Sequence, residues 1–172
     1  LWKEKTVQGE NSLAQTQTFL MPETETTNQA YLAPFIKNWI SACLSFNESA
    51  AEQVANEAFA RFSPERAFLD IFIPGIRKIG DLWYQGDVSV QQEHFASALL
   101  MRRLDALISA LPAPTRTEKV IVGCPPKEEH TLPMLLITLY LRRRGFHVVY
   151  LGANLPLDQF TETVKEIQPE LV

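Results

Sequence analysis

Cysteine is nearly missing from this chain: Cys43 and Cys124 are all that 172 residues contain, and neither has a second cysteine nearby. That excludes a disulfide framework and suits reduced thiols in a cytoplasm. Long apolar runs are missing too. No stretch reaches the roughly 18 uninterrupted residues of a spanning helix, and Lys3, Glu4 and Lys5 after Trp2 lack the layout of a secretory signal. Positive charge is in deficit, with 16 Lys and Arg against 20 Asp and Glu and a net charge of -4. Bulk electrostatics therefore does not draw this segment to a nucleic acid backbone, and any DNA contact requires another domain. What is there is ordinary globular usage, with 46% hydrophobic, 21% charged and 10% aromatic residues. A chain of this length buries roughly two-thirds of its unfolded surface, so the core is large enough for one large domain or two small ones.

The organisation changes three times along the chain. Residues 1–28 are rich in Thr, Gln, Glu and Asn without sustained apolar period, the composition of a linker. From Tyr31, the apolar residues Leu32, Phe35, Ile36, Trp39, Ile40, Cys43 and Leu44 fall at helical spacing. Ser49 with Glu52 forms the sequence pattern of a capping box for a second helix carrying Ala51, Val54, Ala55, Ala58, Phe59 and Phe62. Ser63 and Pro64 open a third helix that continues across Pro74, where a kink is expected. Gly86-Asp87 turns the chain, and Ser89 with Gln92 starts a fourth helix that runs to Leu111. Four amphipathic helices with short connections predict an antiparallel bundle over residues 29–111.

Pro112 to Thr117 breaks the helical period and reads as a linker. Residues 118–172 then alternate: a strand at Val120 to Cys124, a helix from Leu132 to Arg144 ended by Gly145, a strand at His147 to Gly152, a helix from Leu157 to Ile167, and the opening of a third strand at Leu171-Val172. This is the first half of a parallel doubly wound sheet, and the expected class is α/β, a four-helix cap followed by a Rossmann-like, flavodoxin-like domain truncated in the middle.

The histidines differ in what they tell. His147 starts a strand, away from the carboxyl ends where such sheets gather ligands, and is expected to be structural. His130 lies in the loop after the first strand, with Glu128 two residues earlier. In an extended loop the two point the same way, so Glu128 is positioned to hold one imidazole nitrogen while the other coordinates a metal. The competing reading is a polar loop that caps the following helix. On the cap, Trp83 ends the third helix and Glu93-His94 opens the fourth, so the Gly86-Asp87 turn brings an aromatic plane, a carboxylate and an imidazole to one end of the bundle. There the competing reading is a core Trp, an acid that complements the helix dipole, and a surface His.

The run Asp81-Leu-Trp83-Tyr-Gln-Gly86, with Gln92-Glu-His-Phe-Ala-Ser97 and Leu99-Leu-Met-Arg-Arg-Leu104, resembles the helical cap of the CarH/LitR family of cobalamin-dependent, light-responsive MerR-type transcription regulators. Trp83, Glu93 and His94 match that family's Trp-x9-Glu-His. Glu128-Glu-His130-Thr-Leu-Pro133, followed by Leu141-Arg-Arg-Arg-Gly145 and Val148-Val-Tyr-Leu-Gly152, is similar to the Asp/Glu-x-His-x-x-Gly region of cobalamin-binding Rossmann-like domains. The likeness covers about residues 30–172. It implies that His130 is the lower axial ligand of cobalt, supported by Glu128, and that Trp83 shields the upper face and packs against the adenosyl group of adenosylcobalamin. Glu93 would contact that group, and His94 would line the same pocket.

Departures from the family pattern qualify the carry-over. Pro133 stands where the family has Gly and fills space otherwise left to the corrin. Tyr84 stands where light-responsive members carry a His after the Trp, so no bis-histidine photoproduct is implied. The expected function is a non-enzymatic, cytoplasmic cobalamin sensor whose partners are the corrinoid, DNA through a separate domain, and further copies of itself, although no interface is legible in the surface pattern. The alternatives are a corrinoid carrier domain for methyl transfer and a degenerate domain that serves as an interaction module or binds another chromophore.

Overall fold

The computed structural model describes residues 23–172. The linker read in the first residues lies, as far as residue 22, outside the described residues, and from Glu23 the chain is helical. Helix α1 (Glu23–Leu44) thus opens ahead of the apolar stripe and ahead of the boundary drawn at 29. Its stripe buries Leu32, Phe35, Trp39, Ala42 and Cys43, residues three or four apart that share one face. Helix α2 (Glu48–Arg61) presents the small buried residues Ala51, Ala55 and Ala58 and packs against α1. Its N-cap is Asn47, whose side chain accepts the Ala50 N–H at 3.0 Å. This corrects the expectation of a Ser49–Glu52 box. Phe46 turns the chain with φ +54, the helix starts earlier, and Ser49 falls inside the first turn.

Ser63 caps α3 (Pro64–Ala67) as expected, its Oγ accepting the Arg66 N–H at 3.3 Å. The break predicted at Pro74 takes the form of a π-turn over Phe68–Phe72, closed by the Ile73 N–H on the Phe68 carbonyl, before α4 (Ile73–Gln85). Proline lacks the N–H that an α-helix would donate to Asp70, and its ring crowds that carbonyl. The wider π-turn relieves both while keeping Phe68, Ile71 and Phe72 buried. One position later, a Cβ on Gly75 would lie 2.9 Å from Trp39 Cε3, so the glycine lets α4 approach the core tryptophan. Gly86, with φ +84, ends α4 in the left-handed conformation. Helix α5 (Val90–Ser109) carries the expected capping box, with Ser89 Oγ accepting the Gln92 N–H and Gln92 Oε1 accepting the Ser89 N–H.

The linker at Pro112–Thr117 is strapped to the sheet, since the Thr115 and Arg116 N–H groups both donate to the Gly145 carbonyl, at 3.0 and 2.8 Å. Strand β1 (Lys119–Gly123), helix α6 (Leu132–Arg143), strand β2 (His147–Gly152) and helix α7 (Phe160–Ile167) follow. The strands are parallel, with Lys119 opposite His147 and Val122 opposite Tyr150. Leu171 makes an isolated parallel bridge to Val120 on the other side of β1, the opening of the third strand. Helix α7 starts later than expected because Gln159 takes a positive φ of 64° and Leu157 is left 68% exposed.

Cap and sheet share one core. Leu135 and Leu139 of α6 belong to the buried cluster of the cap, and α5 packs along α6. The Arg143 guanidinium meets the Glu65 carboxylate at 2.5 Å across the two layers. Partial burial pushes the Glu65 carboxyl up, but its own backbone N–H and Arg143 together hold it below the ordinary carboxylate range. Among the described residues, no helix is long and apolar enough to cross a membrane.

Candidate functional site

His130 stands in the loop between β1 and α6, at the carboxyl end of β1, with its side chain 88% exposed. Glu128 holds it twice. One carboxylate oxygen accepts the His130 backbone N–H at 2.8 Å and meets the ring Nδ1 at 2.5 Å. These two bonds, backbone first, lower the Glu128 carboxyl below its ordinary value. The Glu128 carboxylate takes the Nδ1 side of the ring, and Nε2 lies on the exposed side. No side chain of the loop caps α6: Thr131, its N-cap residue, makes no side-chain cap, and Glu128 is bonded to His130. Pro133 lies at the first turn of α6.

Cys124 lies beneath the loop, buried, with its Sγ 3.7 Å from the His130 carbonyl. Burial and then the nearby Glu128 and Glu129 raise its thiol above the ordinary range. His147, at the other end of the sheet, faces solvent opposite Lys119.

At the cap, Glu93 and His94 open α5. The Glu93 carboxylate takes His94 Nδ1 at 2.8 Å with one oxygen and the Ser97 hydroxyl at 2.6 Å with the other. His94 is left 75% exposed, and its second nitrogen has no partner among the described residues. Ser97 was not singled out from sequence, although its place one turn after Glu93 is the signal that marks such a pair. Trp83 is 49% exposed at the end of α4 and Tyr84 beside it 91% exposed. Among the described residues the core tryptophan is Trp39, so Trp83 is not the buried packing residue of the competing reading. The structure therefore joins Glu93 to His94 and Glu128 to His130. Among the described residues Trp83 makes no hydrogen bond or ring contact with them, and the short turn through Gly86 sets it at the same end of the cap.

Helix α5 relates the two groups. Thr131, next to His130, donates to Met101 Sδ at 3.5 Å, while Glu93 and His94 lie on the same helix nearer its start. His94 and Met101 are seven residues apart, about 10 Å along the axis at 1.5 Å per residue. Glu93 and His94 thus lie on α5 nearer its start than Met101, the residue that touches Thr131 beside His130.

Comparison with known proteins gives this arrangement a lineage. The family described as the B12 binding domain matches residues 36–108, the cap from α1 to the end of α5. The chain is 29% identical over 143 residues to the HTH-type transcriptional repressor CarH of Myxococcus xanthus, covering 81% of this chain and 48% of that one. It is 26% identical over 136 residues to the trimethylamine corrinoid protein of Methanosarcina barkeri, covering 76% of this chain and 63% of that one. The chain therefore spans only about half to three-fifths of the length of these relatives. The structure of the Methanosarcina barkeri monomethylamine corrinoid protein superimposes with a TM-score of 0.64 at 17% identity, covering 78% of this chain and 64% of that one, which shows a shared fold. By cap, sheet and these matches, the chain is similar to CarH-like cobalamin-binding regions, its residues 36–108 matching the B12 binding domain, and it is similar also to the methylamine corrinoid proteins.

Proposed function

We propose that this region is the cobalamin sensor of a MerR-type transcription regulator, holding adenosylcobalamin between cap and sheet and changing the behaviour of a separate DNA-binding domain. The observation that carries the reading is His130, exposed, fixed through Nδ1 by Glu128 and without a partner at Nε2 among the described residues. A neutral imidazole locked in one tautomer is a good donor for cobalt. One imidazole offers a metal a single ligand, so the metal must bring its remaining coordination, as a corrin ring does. Bound cobalamin supplies a light-sensitive cobalt–carbon bond. The protein's part is to bind, orient and exclude water: His130 from below, Trp83 as an apolar plate on the cap side, and Glu93 and His94 as polar contacts for the upper group. Loss of a bound upper group would change what Trp83 and Glu93 touch, and the shared α5–α6 core would pass the change to the rest of the chain and to assembly with further copies. The reading is of a non-catalytic, cytoplasmic protein.

A second reading, a corrinoid carrier for methyl transfer, is favoured by the relationship to the trimethylamine corrinoid protein. The same experiment separates the two. The chain is mixed with adenosylcobalamin, its absorption is recorded in the dark and after green light, and the series is repeated with His130→Ala. The sensor reading expects retained corrinoid, a light-induced spectral change and loss of the ligated spectrum in the alanine variant. Transfer of a methyl group from bound methylcobalamin to an added acceptor supports the carrier. No retained corrinoid rejects both and leaves a degenerate domain that serves as an interaction module or binds another chromophore, the reading that Pro133 and Tyr84 favour.

A further inference from the structure

We infer that Asn154 is the positioning residue that sets the His130 loop, clasping it from the neighbouring loop between β2 and α7. The inference rests on the proposed role of His130, and it names the group that fixes where that imidazole stands. The two loops are laced at the carboxyl ends of the strands. The Cys124 N–H donates to the Gly152 carbonyl at 2.8 Å, and the Leu155 N–H donates to the Cys124 carbonyl at 3.0 Å. Further out, the Asn154 N–H donates to the Glu128 carbonyl at 2.9 Å, and the Asn154 side-chain oxygen accepts the Lys127 N–H at 2.8 Å. Among the described residues Asn154 is the one side chain that hydrogen-bonds in this lacing, and its two bonds fall on the consecutive residues Lys127 and Glu128, the second of them the acid of the Glu128–His130 pair.

The backbone explains why an asparagine stands there. Asn154 has φ +50 and Lys127 φ +69, both in the left-handed region that most side chains avoid and that asparagine tolerates. Lys127 takes that conformation where its N–H is met by the Asn154 oxygen. The turn it makes sends Glu128 back toward His130, with the Glu128 N–H on the Pro125 carbonyl at 3.1 Å. Without the Asn154 oxygen, Lys127 loses its acceptor and is free to leave the strained conformation. Glu128 then no longer arrives where its carboxylate holds both the His130 N–H and Nδ1. Asn154 caps no helix, since the N-cap residue of α7 is Gln159.

The test uses amide hydrogen exchange on the whole chain, followed by addition of hydroxocobalamin. Asn154→Gly keeps the positive φ available and removes only the side-chain acceptor, and Asn154→Asp restores an acceptor oxygen. In the glycine variant, exchange is expected to rise at Lys127 and also at His130, on the order of fivefold each, the factor that one hydrogen bond's typical net contribution gives. In the aspartate variant both return toward the original rates. With hydroxocobalamin, the glycine variant is expected to show a smaller His130-ligated fraction, identified as the spectral component that His130→Ala abolishes. A change confined to Lys127, or an unchanged ligated fraction, overturns the inference. Failure of the original chain to retain any corrinoid counts against the proposed function instead, and the exchange at His130 still decides the clasp.

Discussion

Replacing Gln92 tests whether the cap holds the Glu93–His94 end of α5 in place through one side chain. Gln92 acts in two directions. Its Oε1 accepts the Ser89 N–H at 2.9 Å, completing the capping box, and its Nε2 donates to the Leu44 carbonyl at 2.6 Å, near the end of α1. The first bond satisfies a donor at the helix entrance, and losing half of such a box costs about 1 kcal/mol. The second ties a carbonyl left open at the end of α1, in a partly buried place, and is worth about 1 kcal/mol. Gln92→Ala should therefore destabilise the chain by about 2 kcal/mol, a fall in Tm of about 4–8 °C for this size. Gln92→Glu keeps the capping acceptor and points a carboxylate at the Leu44 carbonyl, so it loses only the second bond and should cost about half as much or slightly more. Urea unfolding followed by circular dichroism reads both. A cost below about 0.5 kcal/mol for the alanine variant, or equal costs for the two, would refute this division of labour.

Three further outcomes follow from the same structure. Leu139→Ala removes a fully buried side chain that joins α6 to the cap core and should cost about 3 kcal/mol, measured by chemical denaturation. The Glu128 carboxyl is lowered by its bonds to the His130 backbone and ring. Its tie to His130 is therefore fully present above the ordinary carboxylate range and is lost as pH falls through the lowered value, so the His130 ring and amide resonances should move in acid and should not do so in Glu128→Gln over the same range. Burial pushes the Cys43 thiol up to about 12, and Cys124 is also buried and raised. Neither should react with a thiol-specific reagent at neutral pH in the folded chain, and both should react in urea.

The elements that were legible in the sequence are those whose signal is local. The Ser63-Pro64 start and the Ser89–Gln92 box rest on side chains within four residues of the backbone they satisfy, and the Gly86 stop rests on the positive φ that a residue without a side chain adopts freely. The alternation of β1, α6, β2 and α7 was legible from period alone. Asn47 displaced Ser49 as a cap because the turn at Phe46 decides where α2 begins, and nothing in the spacing of the alanines records a positive φ. The break at Pro74 was expected, but its form was not, because a π-turn depends on which buried faces must stay in register. The pairings Glu93–His94 and Glu128–His130 were within reach of sequence, being one and two residues apart. Ser97 and Asn154 were not singled out. Asn154 lies 26 residues from Glu128 in the chain, and only the parallel pairing of β1 and β2 brings the two loops together.

That pairing also bears on the proposed site, whose two groups of residues stand on different elements around one shared core. A loop at the end of a parallel strand is held by its neighbours but has few buried contacts of its own. His130 is mostly exposed for that reason, and its position depends on the bonds that reach it from Glu128 and, through Lys127, from Asn154. The cap side is the reverse. Glu93 and His94 sit on a twenty-residue helix whose Ala96, Leu99, Leu100 and Leu104 are buried, so they move only if α5 moves. Met101 then connects the two regimes, on the helix and in contact with Thr131 beside the loop. A ligand held between the groups would meet a rigid wall on the cap side and an adjustable one on the sheet side. Adjustment of the loop would be felt at Thr131 and Met101 before it reached the helix core. A Met101→Ala variant should therefore leave α5 folded while loosening the contact with Thr131. Its His130 resonances should shift and those of His94 should stay in place. Equal shifts at both histidines would mean that cap and loop move as one body.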